Sequence, residues 1–180
     1  MDKRIQFTKI RDVKSPARAN MNDAGMDFFI PNYSKKFLED LQAKNKNNML
    51  TYVEGVDEHG VKQLQIIIPA HGQVNIPSGI KVNILDKNTY LDANNKSGVA
   101  TKYRLVVGAK VVDADYRGEV HLNLINISNE RVILVSGQKI VQFIHKRYIK
   151  SDLIEISNAE YDALEVTDRG EGGFGHSGEK

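Results

Sequence analysis

Short apolar runs, each cut off within a few residues by a turn signal, limit most strongly how this chain folds. Leu64 to Ile68 is a compact apolar run ended by Pro69, and Ile80, Val82 and Ile84 alternate with other residues. Val120, Leu122 and Leu124 alternate with His121 and Asn123, the period-two pattern of a half-buried strand. Leu124 and Ile125 then stand side by side, which predicts a bulge or a strand buried on both faces. Residues 132–135 and 140–144 are two more strand candidates. Turn-forming clusters separate the runs: Ala70-His71-Gly72, Pro77-Ser78-Gly79, Asp86-Lys87-Asn88, Ser128-Asn129 and Ser136-Gly137. Many short strands at such intervals predict an all-β sandwich or barrel. A doubly wound α/β fold would need helices between the strands.

Two segments depart from this pattern. Residues 33–47 place Phe37, Leu38 and Leu41 on one stripe behind Ser34, a good N-cap, which predicts a helix burying one face. That helix is read either as a surface helix packed on the sheet or as a lid or partner surface. Ser157-Asn158-Ala159-Glu160 matches the capping box and predicts a short helix reaching Leu164. The last residues, 166–180, are Gly-rich and nearly free of aliphatic side chains, as in a mobile tail.

Composition narrows the function classes. At 180 residues, the chain suits a single domain with one insertion. There is no Cys, which removes disulfide scaffolds, thiolate zinc sites and cysteine nucleophiles together. The formal net charge of +2 gives no strong grip on duplex nucleic acid or a membrane surface. No apolar run approaches the roughly 18 residues of a membrane span, and Met1 to Gln6 has no signal-peptide pattern. The expectation is a soluble, cytoplasmic protein. The five His, at 59, 71, 121, 145 and 176, never stand three to five residues apart, so a structural zinc site is not expected. The P-loop and the Gly-x-Ser-x-Gly elbow are absent.

Three clusters remain that can do chemistry. Residues 170–175, Gly-Glu-Gly-Gly-Phe-Gly, match the dinucleotide fingerprint literally, but only five residues follow, so no strand–turn–helix unit can form around it. Five Gly between Arg169 and Gly178 expose backbone N–H groups that can wrap phosphate oxygens, with Arg169 as a donor fork and Phe174 as a flat face for a base. The same composition also reads as plain disorder. Asp113-Ala114-Asp115-Tyr116-Arg117-Gly118 lies between two apolar runs and is predicted to be a hairpin loop, either a simple turn or a carboxylate set beside an aromatic ring. Asn95-Lys96-Ser97-Gly98 brings a cation, a hydroxyl and a permissive backbone together, yet alone it is a polar turn.

Taken in order, these clusters resemble the trimeric dUTP diphosphatase (dUTPase) family. Ala24-Gly25-Met26-Asp27-Phe28 is similar to its first motif, residues 96–100 (Lys-Ser-Gly-Val-Ala) to the second and residues 108–119 to the third. Residues 137–144 are similar to the fourth and residues 169–178 to the fifth. The resemblance covers nearly the whole chain apart from an insertion at about 33–63. It implies a jelly-roll-like β-domain, residues 1–180, that forms a homotrimer with shared active sites and splits dUTP into dUMP and pyrophosphate with Mg2+. Asp113 would be the general base that deprotonates the attacking water. Tyr116 would pack against the deoxyribose. Lys96, Ser97, Gly98 and Gln142 would hold phosphate oxygens, Arg169 and Ser177 would grip the γ-phosphate, and Phe174 with Gly175 would close over the base. Asp27 would support the metal indirectly, through water.

Some positions depart from the family pattern. Lys96 stands where Arg is usual, so a bidentate grip becomes a single charge. Lys110 and His121 stand where Gly is usual or frequent, on the segment that reads uracil, and His176-Ser177 replaces Ser-Thr. Two other readings compete. The related dCTP deaminases carry a catalytic Glu on the strand after the third motif, where this chain has Asn123. A dUTPase-like regulatory protein would use the insertion to bind a protein partner. The insertion itself is expected to be a peripheral helix plus an extended arm.

Overall fold

The computed structural model describes residues 4–48, 51–56, 59–60 and 62–173. The chain divides into two compact units, Met1–Ile149 and Lys150–Lys180. Phe174, Gly175 and Ser177 lie outside the described residues.

The first unit is built almost wholly of antiparallel strands in three sheets. In chain order the strands are β1 (Ile5–Lys9), β2 (Gly25–Phe29), β3 (Thr51–Val56), β4 (Lys62–Ile68), β5 (Gln73–Ile84), β6 (Thr89–Asn95), β7 (Leu105–Val107), β8 (Val111–Asp113), β9 (Glu119–Asn126), β10 (Val132–Val135) and β11 (Lys139–Arg147). One sheet runs β1-β5-β9-β7, a second β2-β11-β6-β8, and a smaller third β10-β4-β3. Helix α1 (Lys35–Lys44) precedes β3, and α2 (Ser97–Tyr103) follows β6. The expected all-β, jelly-roll-like sandwich is what forms. Among the described residues no helix is long and apolar enough to cross a membrane.

The alternation that identifies the strands also fills the core. Leu64, Ile66 and Ile68 of β4, Val74 and Ile76 of β5, and Leu122 and Leu124 of β9 are all buried in one apolar cluster. Phe28 and Phe143 join the second sheet to it, with ring centroids 4.5 Å apart.

Two local expectations are corrected. Pro77-Ser78-Gly79 is not a turn between strands but an irregularity within β5, where the pairing with β9 shifts register between Pro77 and Lys81. Gly79, at φ 76°, supplies the left-handed residue that bends the strand there. Nor does β9 bulge at Ile125. Buried and half-buried residues alternate along its whole length, and buried Asn126 closes the pattern with its amide on the carbonyls of Pro69 and Glu130.

The inserted helix is also more than peripheral. Ser34 caps α1 by accepting from the Phe37 N–H at 3.1 Å, and Phe37 and Leu41 are fully buried in the main core, with Leu38 packed against it. At its end, Asn45 acts as a substitute strand residue. Its Oδ1 accepts from Asn75 N–H at 2.8 Å, and its Nδ2 donates to Asn75 O at 2.9 Å. Strand β1 pairs with β5 only from Ile80 to Ile84, so this amide covers the edge that β1 leaves open. The extended arm becomes β3, paired with β4 from Thr51 to Val56.

In the second unit, α3 (Asn158–Asp162) forms behind the expected capping box, with Ser157 Oγ accepting from Glu160 N–H at 3.2 Å and Glu160 Oε2 accepting from Ser157 N–H at 2.8 Å. Glu160 is consequently held below the usual carboxylate range.

Candidate active site

Register across the second sheet places Asp27 of β2, Gln142 of β11 and Asn94 of β6 in one row. Just beyond the end of β6, Lys96 is the N-cap of α2, so Ser97 and Gly98 are its first two residues. What sequence reading took for a polar turn is thus a helix start, where the first N–H groups have no partner inside the helix. A cavity of about 500 Å3 opens there, lined by Lys96, Ser97, Gly98, Lys102, Lys139 and Gln142 among others. Four of these residues, Lys96, Ser97, Gly98 and Gln142, are the ones expected to hold phosphate.

Gln142 is oriented by its neighbours. Its Nε2 donates to the carbonyl of Asn95 at 2.8 Å. Its amide also lies over Gly25, where an added Cβ would come within 2.1 Å of Gln142 Oε1. Gly25 of the first motif therefore leaves the room that the fourth motif's side chain occupies.

Asp27 is buried at 5% exposure and pairs with two cations, Lys96 and Lys139. Lys96 donates to Oδ1, and Lys139 lies 3.1 Å from Oδ2. A buried carboxylate needs such partners. It also keeps two ammonium groups close together at the cavity wall. Lys139 and Lys102 were missed as site residues. The signal for Lys139 was its place in the fourth motif, three residues before Gln142.

The third motif lies elsewhere in the unit. Asp113 ends β8, opposite Tyr90 on β6, and is exposed. The flanking runs do not form a hairpin with each other: β8 pairs with β6 in the second sheet, and β9 pairs with β5 and β7 in the first. The loop from Asp113 to Gly118 is therefore a crossing between sheets. It is braced by Arg117 and Lys87, which donate to Ala114 O at 2.8 and 3.0 Å. Tyr116 is 42% exposed, and its hydroxyl donates to Glu119 O at 2.9 Å. Its ring covers Gly118, where a Cβ would meet the hydroxyl at 2.3 Å. Asn123 accepts from Ala109 N–H at 3.0 Å and so braces the start of the same motif.

The two departures on this segment have local partners. Lys110 turns toward buried Asp92, at 3.8 Å. His121 Nδ1 donates to Glu119 O at 2.8 Å, its Nε2 is buried without a partner, and burial holds the ring below the usual histidine range. Burial is the largest single influence on Asp92 and pushes it up, but hydrogen bonds from Lys146 and Asn94 together with the charges of Lys110 and Lys146 pull it down, so its net shift is downward.

Asp113 and Ser97 do not come together within one unit. Tyr90, which pairs with Asp113, is five residues before Asn95 on β6, about 17 Å at the rise of an extended strand. Arg169 belongs to the second unit, where its Nε donates to Gly172 O at 2.9 Å.

Among the described residues no cluster of three or more His, Asp or Glu side chains could cage a metal. Mg2+ is commonly carried mainly by substrate phosphates and water, and the carboxylate at this cavity that could meet such a water is Asp27. The ammonium contacts on Asp27 use one position on each carboxylate oxygen, and each oxygen has a further lone pair for a water.

Comparison with known proteins shows the family of the chain. The dUTPase family model matches residues 61–178, which include the second to fifth motifs. A deoxyuridine 5'-triphosphate nucleotidohydrolase of Candida albicans is 41% identical over 111 residues, 62% of this chain and 67% of the relative. One from Paramecium bursaria Chlorella virus 1 is 32% identical over 126 residues, 69% of this chain and 85% of the relative. Among solved structures, a mutant dUTPase of Staphylococcus bacteriophage 80alpha with dUpNHpp superposes with a TM-score of 0.67 at 18% identity, covering 98% of this chain and 99% of that one. The EIAV dUTPase superposes with a TM-score of 0.58 at 19% identity, covering 86% of this chain and 98% of the other. These structures share the fold, and with a family match over residues 61–178, which takes in Lys96 to Gly98, Gln142 and the Asp113 loop alike, the chain belongs to the dUTPase family.

Proposed function

We propose that the protein hydrolyses dUTP to dUMP and pyrophosphate in sites shared between the subunits of a homotrimer. The observation that carries the reading is the cavity walled by Lys96, Ser97, Gly98, Lys139 and Gln142, set at the opposite end of β6 from Asp113. The cavity supplies charge and donors for a triphosphate. The carboxylate that would activate water must come to it from another copy.

In this reading Asp113 accepts a proton from water as the water oxygen bonds to the α-phosphorus, and the bond from that phosphorus to the oxygen bridging toward the β-phosphorus breaks. Pyrophosphate leaves. Ser97, the first N–H groups of α2 and Gln142 fix the phosphate oxygens, so that the rate comes from positioning and electrostatics. Lys96 and Lys139 neutralise phosphate charge while Asp27 keeps the two ammonium groups near each other. Bound Mg2+ would neutralise charge on the phosphate chain. Tyr116 packs on the sugar, and Arg169 of a neighbouring copy grips the γ-phosphate; the roles the resemblance implies for Phe174, Gly175 and Ser177 fall outside the described residues.

Among the described residues of the second unit itself, Leu153, Ile154, Leu164 and Val166 have no buried core to join, and in this reading a neighbouring copy covers them.

The test is a panel of dUTP, dTTP, dCTP and UTP with Mg2+, both products quantified. dUTP is expected to be turned over well above the rest, and release of ammonia from dCTP would favour the deaminase reading. Asp113→Asn is expected to lower kcat by about 100- to 10,000-fold while a non-hydrolysable dUTP analogue still binds. Turnover within a few-fold of wild type would remove Asp113 from the role of base.

A further inference from the structure

Arg11 stands outside all five motifs, yet it is tied to the third. Its Nε donates to Glu119 Oε1 at 2.7 Å and its Nη2 to Glu119 Oε2 at 2.8 Å, a bidentate fork. The same Nη2 donates to Asp40 Oδ2 at 2.7 Å, and Asp40 belongs to α1 of the insertion. Phe37, also on α1, lies beneath the guanidinium at 5.8 Å from its ring centroid. The Arg11 and Glu119 side chains are only 10% and 12% exposed. Glu119 Oε1 additionally accepts from Gly79 N–H at 2.7 Å, at the bend of β5.

These contacts fix Glu119 on three sides, and the carbonyl of Glu119 is where the Tyr116 hydroxyl is held. Gly118 has no side chain, which leaves the room the Tyr116 ring occupies, since a Cβ there would meet the Tyr116 hydroxyl at 2.3 Å. Arg11 is thereby connected to the ring through one residue, and it is not among the residues that line the cavity at Lys96 and Gln142.

We propose that Arg11, held by Asp40 of the inserted helix, is a positioning residue that sets Tyr116 through Glu119 and so governs the choice of deoxyribose over ribose. The inference rests on the reading of Tyr116 as the residue packed against the sugar. Loss of the fork leaves a buried carboxylate with one backbone donor, so Glu119 shifts to find another partner, and the acceptor of the Tyr116 hydroxyl moves with it. In the reading of Tyr116 as the residue packed against the sugar, its ring leaves no room for a 2'-hydroxyl, and moving the ring opens that room.

The experiment compares kcat/KM for dUTP with that for UTP in the full-length chain. Arg11→Gln is expected to lower the dUTP-over-UTP ratio about tenfold, and Asp40→Asn about threefold, with the trimer retained. Tyr116→Phe should lower the ratio by about as much as Arg11→Gln. The double variant should fall no further than either single one, because both act on one contact. Arg11→Lys keeps the charge but not the fork and should rescue only part of the loss. An unchanged ratio in Arg11→Gln, or fully additive losses in the double variant, would overturn the proposal. If Arg11→Gln does not fold, Asp40→Asn alone and with Tyr116→Phe carries the same comparison, since Asp40 is a quarter exposed at the surface. Tyr116→Ala separates the layers: an unchanged ratio there overturns the reading of Tyr116 itself, whereas a lowered ratio with Arg11 and Asp40 variants unchanged overturns only the positioning role.

Discussion

Gly25 has no side chain, and the amide of Gln142 fills the space that one would need. Gly25→Ala would put a Cβ 2.1 Å from Gln142 Oε1 and 3.0 Å from Gln142 Cβ, so the amide swings aside and β11 gives by a few tenths of an ångström. The expected result is a folded protein with a lowered melting temperature and a KM for dUTP raised about tenfold, the loss of roughly one good hydrogen bond. A normal KM would mean that Gln142 does not touch the nucleotide. Residues of this kind were only half legible. Gly25 and Gln142 stood out as members of separate motifs, but their contact depends on the register of β2 against β11, which neither segment encodes alone. Lys139 was passed over because an exposed lysine is ordinary until a buried Asp27 is seen beside it. Asn123 was read only as a missing Glu, and the structure gives it work of its own in holding the backbone of Ala109.

The alternation of β9 and the compact apolar run of β4 were visible in the sequence, as were the caps of α1 and α3. Helix α2 was not, because Gly98 and the β-branched Val99 and Thr101 give a seven-residue segment little intrinsic preference for helix. Strand β8 was misplaced for a different reason: apolar runs on either side of a loop look alike whether they pair with each other or with other sheets. The inserted helix was legible as a stripe but not as part of the core, since a stripe does not say what covers it. Leu41 is fully buried, so Leu41→Ala is expected to cost about 2–5 kcal/mol in denaturant unfolding. Replacing residues 34–62 with a short Gly-Ser linker should abolish folding of the first unit, by circular dichroism, rather than yield an active trimer. A stable, active linker variant would mean that the core closes without Phe37 and Leu41.

At the scale of the whole molecule, acid should destabilise the fold in two stages. His121 and His145 are held below the usual 6.5, chiefly by burial. As pH falls past that value the unfolded chain takes up protons first, so the stability these neutral rings contribute is lost. Asp92 and Asp40 are held below 3.8, and their contribution, present above that pH, disappears only as pH falls below it. Melting temperatures measured between pH 8 and 3 should therefore drop first below about 6.5 and again below about 4. His121→Gln should soften the first step, and a flat profile from pH 7 to 5 would remove the histidines from this account. Assembly has its own test. Mixing Asp113→Asn chains with chains truncated before Arg169 should restore part of the activity, because some mixed sites hold an intact Asp113 and an intact tail. No recovery after joint refolding would argue against shared sites.

The Asn45 amide that completes β5 bears on how this protein behaves when crowded with copies of itself. An N–H and C=O pair left open on a sheet edge invites a strand from another molecule. Asn45 occupies that pair at Asn75, so a stray strand finds no template there. Asn45→Ala would leave the two groups bare and should show in light scattering, as slow growth of large particles on storage at high concentration, even in a preparation that is fully folded when first purified.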